Sequence, residues 1–237
     1  TVFVRFCEDN GLLSRRMIAG PGPAMLDATE AENAFYAAHP AANARDWLRE
    51  GFAELAAYPA TAGLVDRTHS PVWHAPLGAD AADELLAFWR STDAEGALTW
   101  DLTDPAWDTR FLGDLYQDLS AHAKKAYALL QTPDFVEEFI LSRTLAPAIA
   151  ALPIDQVNVI DPTCGSGHFL LGAFAMLLEA RTLAAPAEDE RVRIQHVLDA
   201  VAGVDINPFA VAIARFRLVV AAMRACGATS LASAPSF

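Results

Sequence analysis

The sequence predicts an α/β protein with a helical lobe in front of a parallel sheet. Three observations carry that reading. From Asp27 the text is Ala-rich, with apolar side chains recurring at helical spacing. Two short β-branched runs follow, VNVID at 157–161 and VAGVDI at 201–206. Helical text lies between and after them, so the second half runs strand, glycine turn, helix, helix, strand, helix.

Element by element, the opening TVFVRFCEDN is a short mixed run, and with Arg5, Glu8 and Asp9 among its apolar residues it does not read as a signal peptide. Gly20, Pro21, Gly22 and Pro23 mark a turn. A helix runs from a cap at Asp27 or Thr29 to His39, before Pro40. A second, from Ala44 to Tyr58, buries Trp47, Leu48, Phe52 and Leu55, and Pro59 stops it. A third starts at Asp80 or Asp83 and carries Leu85, Leu86, Phe88 and Trp89. The loose stretch DAEGALTWDLTDPAWDTR then places a boundary near 105–112, dividing the chain into a helical lobe, 1–108, and a partial α/β domain, 109–237.

In that second part a helix over 111–130 turns Phe111, Leu112, Leu115, Tyr116 and Leu119 inward. Thr132 then Pro133 starts another, cap followed by first-turn proline, with Glu137 and Glu138 placed to suit the helix dipole. Its expected buried side is Phe135, Val136, Phe139, Ile140 and Leu145. A capped acidic helix covers 187–200. Asn207 and Pro208 open the last helix, with Phe209, Val211, Ile213, Ala214, Phe216, Leu218 and Val219 mostly inward. The five tryptophans read as core in so acidic a lobe.

Composition sets limits on function. At 53% hydrophobic and 20% charged residues, the chain can bury a sizeable core, which excludes wholesale disorder. No charge-free apolar run of ~18 residues is present, so no membrane partner is expected. Three scattered cysteines make no disulfide framework and point to a reducing, cytoplasmic setting. The net charge of −13 repels a phosphate backbone. DNA contact must then be local or come from sequence beyond Phe237. Two strands are also few for an independent parallel sheet, so the chain reads as part of something longer.

The chemistry concentrates at Asp161-Pro162-Thr163-Cys164-Gly165-Ser166-Gly167, at the carboxyl end of the first strand, where open α/β sheets bind ligands. Gly165 and Gly167 permit a sharp turn and close approach of a ligand. Amides at the next helix's N-terminus favour a carboxylate, and Asp161 suits an ammonium group. The second strand ends in Asp205, whose two oxygens can accept both hydroxyls of a ribose. Ile206 beside it offers an apolar surface to a purine. S-adenosylmethionine (SAM) has all four parts. A dinucleotide fingerprint would need a glycine at Leu170 and an acid about 20 residues on; Asp205 lies 44 residues after Asp161. A P-loop would need Lys then Ser or Thr where His168 and Phe169 stand. Cys164 reads as a small packing residue and His168 as a first-turn residue. The histidines show no metal-binding pairing, so no metal is expected.

DPTCGSGHFLLGAF, GVDINPFAVAIARFRL and the upstream LLQTPDFVEEFI resemble the first, second and permuted tenth motifs of SAM-dependent adenine-specific DNA methyltransferases. The wider text, including TRFLGDLYQDLSAHAKKAYALLQTPDFVEEFILSRTL, is most similar to the phage growth limitation (BREX-type) defence methyltransferases. The resemblance implies the first half of a class I (Rossmann-like) SAM-binding domain from 109 onward. It implies that Thr132 and Pro133 contact the methionine end of SAM, and that Asp161, Thr163, Gly165 and Gly167 form the loop around its amino-acid part. Asp205 would hold the ribose and Ile206 pack on the adenine. Gln131 stands where the family has an aromatic residue.

Such enzymes hold and stack the flipped base with an Asn/Asp-Pro-Pro-Tyr/Phe sequence. This chain has no Pro-Pro, so the catalytic residues are expected downstream of Phe237, and Asn207-Pro208-Phe209 reads as a helix cap. The resemblance implies methylation of the exocyclic amine of adenine in DNA, in phage defence, with DNA and other defence proteins as partners. The competing reading is a non-catalytic SAM-binding scaffold of a defence complex.

Overall fold

Charged residues organise the first part of the fold from inside. The computed structural model describes residues 1–68, 70–118 and 132–234. In it the mixed opening run is a helix, α1 (Val2–Asp9), with Arg5 and Glu8 fully buried and Asp9 nearly so. Arg5 pairs with Glu8 (3.4 Å) and Asp9 (2.8 Å). The Glu8 carboxylate accepts the backbone N–H groups of Met17 (2.5 Å), Ile18 (2.7 Å), Ala19 (3.1 Å) and Gly20 (3.1 Å). One carboxyl group thereby satisfies four donors of a segment that lies outside any helix or strand. The sequence reading has no helix here because these charges interrupt the apolar pattern.

After α1 come α2 (Ala24–Ala38), α3 (Ala44–Ala56), the short α4 (Pro59–Ala62) and α5 (Ala79–Trp89), with α3 packed on α1, α4 and α5. A reciprocal capping box, Asn43 with Asp46, starts α3. Trp47 and Trp89 are buried, and the Trp47 indole N–H donates to the Met17 carbonyl (2.8 Å). Trp100 departs from the expected core role: it is 42% exposed and stacks on exposed Phe88, ring centres 5.0 Å apart.

Residues 1–107 and 228–234 make up one compact unit and 108–227 a second. Leu231 is buried, and its N–H donates to the Leu12 carbonyl (2.9 Å), so 228–234 group with the first unit and not with 109–227.

The second unit comprises α6 (Arg110–Asp118), α7 (Asp134–Ala151), β1 (Val159–Asp161), α8 (His168–Ala184), α9 (Glu190–Asp199), β2 (Val201–Gly203) and α10 (Pro208–Ala225). The predicted helix over 111–130 is seen through Asp118; Leu119 and the rest, like Gln131, lie outside the described residues. The two strands pair in parallel, Val159 with Val201, Ile160 with Ala202 and Asp161 with Gly203. Leu141, Leu145, Val157, Phe174, Leu177 and Ile194 lead the core beneath them. The unit is thus helix-rich with a small parallel sheet.

Two local expectations fail in α7. Its N-cap is Pro133, not Thr132, and the first helical residue is Asp134. Its buried face is also different: Phe135 (71% exposed), Phe139 (59%) and Ile140 (39%) face outward, while Leu141 and Leu145 are buried. The inner stripe runs Glu137, Leu141, Leu145, at four-residue spacing. Gly172 of α8 makes room for it, since an added Cβ would lie 2.6 Å from Leu141 Cδ1 and would collide with the Glu137 carboxylate. A carboxylate on the inner stripe hides that face from a purely apolar count. Phe209 likewise lies outside the core of α10, at 52% exposed.

Among the described residues, no helix is long and apolar enough to cross a membrane.

Candidate functional site

The site is built where both strands end. Beyond the last strand pair, Val204 N–H donates to the Asp161 carbonyl (2.8 Å) and Cys164 N–H to the Val204 carbonyl (2.9 Å). This stitching continues the pairing into the two loops and sets them side by side. Asp161 Oδ1 accepts the Thr163 N–H (3.0 Å), a tight turn around its own side chain. Asp205 does more. Its Oδ2 accepts the Gly165 N–H (2.9 Å) and its Oδ1 the Asn207 N–H (2.8 Å), so one carboxylate braces the end of β2 against the loop after β1.

Gly165 and Gly167 both adopt positive φ, +51° and +87°. At Gly167 the demand is double: it caps α8 in the left-handed conformation, and an added Cβ would lie 2.8 Å from the Ala214 Cβ of α10. At Gly165 an added Cβ would meet open space, so this side of the loop is accessible. Ile206, 85% exposed, stands next to Asp205. Asp161 and Asp205 are half-buried and Thr163 is exposed.

The structure therefore brings Asp161, Thr163, Gly165, Gly167, Asp205 and Ile206 to one edge of the sheet. Thr132 is half-buried and Pro133 exposed at the start of α7. That end is linked to the loop through other side chains. Arg110 pairs with Asp134 (2.5 Å), Thr109 Oγ1 lies 3.4 Å from Arg217 Nε, and Arg217 Nη1 donates to the Ser166 carbonyl (2.8 Å). Arg217 and Arg110 were missed at the sequence level. Arg217 sits between Phe216 and Leu218 on a helix whose buried residues Ile213, Ala214, Phe216 and Val220 flank it. An arginine inside an apolar stripe was the available signal.

Two neighbours have their proton affinity shifted by their surroundings. Burial, aided by the Asp161 and Asp205 charges, pushes the Cys164 thiol up to about 11, which keeps it protonated. Cys164 packs with Leu170 and Ala214. Burial, with the Arg217 charge second, lowers the pKa of His168, the first residue of α8. Asn207 caps α10 through its Oδ1 to the Phe209 N–H (3.0 Å). Among the described residues, no cluster of three or more His, Cys, Asp or Glu could hold a metal ion.

Two carboxylates, an accessible glycine loop and an exposed aliphatic side chain at one sheet edge fit a cationic ligand with hydroxyl and flat apolar parts. Each Asp205 oxygen uses one lone pair on the backbone and keeps another for a ligand hydroxyl.

Residues 149–232, which hold both strands and the loop, match the family model of the MmeI DNA-methyltransferase domain. The adenine-specific methyltransferase PglX of Streptomyces coelicolor is 51% identical over 245 aligned residues, which take in 100% of this chain and 20% of PglX. A putative type II restriction enzyme and methyltransferase of Methanocaldococcus jannaschii is 34% identical over 73 residues, 29% of this chain and 6% of that protein. No solved structure matches the chain. The chain spans a fifth of the length of PglX. Aligned along all of its residues and identical at half of them, the chain is similar throughout to one fifth of the adenine-specific methyltransferase PglX.

Proposed function

We propose that the second unit is the first half of a class I (Rossmann-like) domain that holds S-adenosylmethionine. In this reading the whole protein methylates the exocyclic amine of adenine in DNA, in phage defence. The observation that carries the reading is Asp205. Its carboxylate is fixed by two backbone N–H groups at the sheet edge, beside an accessible glycine loop and the exposed Ile206.

Asp205 accepts the ribose hydroxyls, and Ile206 covers one face of the adenine. Asp161 accepts from the ammonium of the methionine part, while the N-terminus of α8 receives its carboxylate. Thr163, Gly165 and Gly167 shape the loop around that part, and Thr132 and Pro133 border it from α7. The cofactor supplies an activated methyl on a sulfonium. The protein's share is then mainly orientation, with the amine brought into line. Residues that hold the base belong to sequence outside this chain, and DNA and other defence proteins are the partners proposed. A cytoplasmic setting goes with this reading.

Transfer of labelled methyl from SAM to DNA by the full-length protein tests it, with Asp205→Ala as control. Label on adenine that the substitution abolishes is the expected result. SAM affinity of the variant, read by calorimetry, should fall by ~1–3 kcal/mol, the cost of losing a charged hydrogen-bond partner. SAM binding without transfer to any DNA would favour the scaffold reading, and unchanged affinity in Asp205→Ala would remove the assignment of this strand end.

A further inference from the structure

We infer that Arg217 is a positioning residue of this site, whose buried guanidinium holds the 163–167 loop in register with the Thr132–Pro133 end of α7. The inference rests on the cofactor reading above. It starts from a cost: a fully buried guanidinium carries a large desolvation penalty, which only well-placed acceptors offset. Arg217 is 1% exposed, and burial is the main reason its pKa falls to about 10. Asp108, Asp114 and Glu137 act on it through their charge. Its short contact, however, is the Ser166 carbonyl of the loop, 2.8 Å from Nη1. The same Nη1 lies 3.5 Å from Ser166 Oγ and 3.4 Å from His168 Nδ1.

That carbonyl belongs to the Ser166–Gly167 peptide, whose N–H donates to the Cys164 carbonyl (2.8 Å). The peptide plane is thus held at both ends, and it is the plane that opens α8. Three residues before Arg217, Ala214 rests against Gly167, so one face of α10 presents both a steric stop and a donor to the loop. Arg217 Nε faces Thr109 Oγ1 at 3.4 Å, and the next residue, Arg110, pairs with Asp134, directly after Pro133. A continuous path therefore runs from the loop through Arg217, Thr109 and Arg110 to the start of α7. It joins two parts of the site that are about 30 residues apart in sequence.

Arg217→Gln, Arg217→Lys and Thr109→Val in the full-length protein test this, with wild type measured first. SAM affinity is read by calorimetry, folding by thermal melting, and loop order by hydrogen exchange of the amides at 163–167 and 134–137. Arg217→Gln should weaken SAM binding roughly tenfold to a hundredfold, the range for a lost hydrogen bond to a charged group. It should raise the KM for SAM more than it lowers kcat at saturating SAM. Arg217→Lys should recover part of the affinity. Thr109→Val should speed exchange at 134–137 while the protein stays folded. If Arg217→Gln is less stable yet binds SAM as wild type does, the residue is core filling and the inference fails. If Arg217→Gln does not fold, the other two variants decide: wild-type affinity and exchange in both overturn it. Wild type that binds no SAM removes the cofactor reading itself, a result distinct from any variant's.

Discussion

Asp205 and Gly167 show how much a single position is asked to do. Asp205 serves the fold, because its two oxygens tie Gly165 and Asn207 together. Gly167 is constrained twice, by φ of +87° and by the Ala214 methyl 2.8 Å from where a Cβ would sit. Gly167→Ala should therefore cost about 2–4 kcal/mol, combining left-handed strain with overpacking. Urea unfolding followed in the second unit checks the figure. A loss below ~1 kcal/mol would show that α10 gives way easily, and the close packing against the loop would count for little. The placement of Asp161, Gly165, Gly167 and Asp205 at the sheet edge was legible because each lies within a few residues of a strand end. The contacts of Arg217 were not legible, since its partners Ser166 and Thr109 are 51 and 108 residues away.

Elements were legible where one apolar stripe decided them, and less so where charge took part. In α7 the aromatic residues attract the eye, but Phe135 and Phe139 face outward and Glu137 shares the inner stripe with Leu141 and Leu145. Leu141→Ala should cost about 2–5 kcal/mol, the usual range for a buried leucine. Phe139→Ser should stay within roughly 0.5 kcal/mol of wild type, as at other exposed positions. Comparable losses in the two variants, by chemical denaturation, would restore the sequence-based face. The connection between α8 and α9 is held by charge as well. Glu188 bonds Arg181 Nε (2.7 Å) and Nη2 (2.8 Å), and this contact holds its carboxyl down to about 2 from the usual 4.5. Because the folded value lies below the unfolded one, the contribution is complete above about 4.5 and fades as pH falls toward 2. Urea midpoints measured from pH 6 to pH 2.5 should drop over that window, and Glu188→Gln should flatten the drop. The same kind of charge pairing hid α1, where Arg5, Glu8 and Asp9 look like surface residues until their partners are known.

On the scale of the whole molecule, the net charge of −13 leaves little attraction for a polyanion. The first unit is also discontinuous, since it combines residues 1–107 with 228–234. A chain ending at Gly227 should lose hydrogen-exchange protection around Leu12 and keep it in β1 and β2. Equal loss in both units would mean that they unfold as one. The buried Leu231, with its bond to the Leu12 carbonyl, has a consequence for biosynthesis. A ribosome adding about 5–20 residues per second delivers this last piece some ten seconds after Trp107 has emerged. The first unit therefore waits unfinished, its Leu231 site open, while the second is being made.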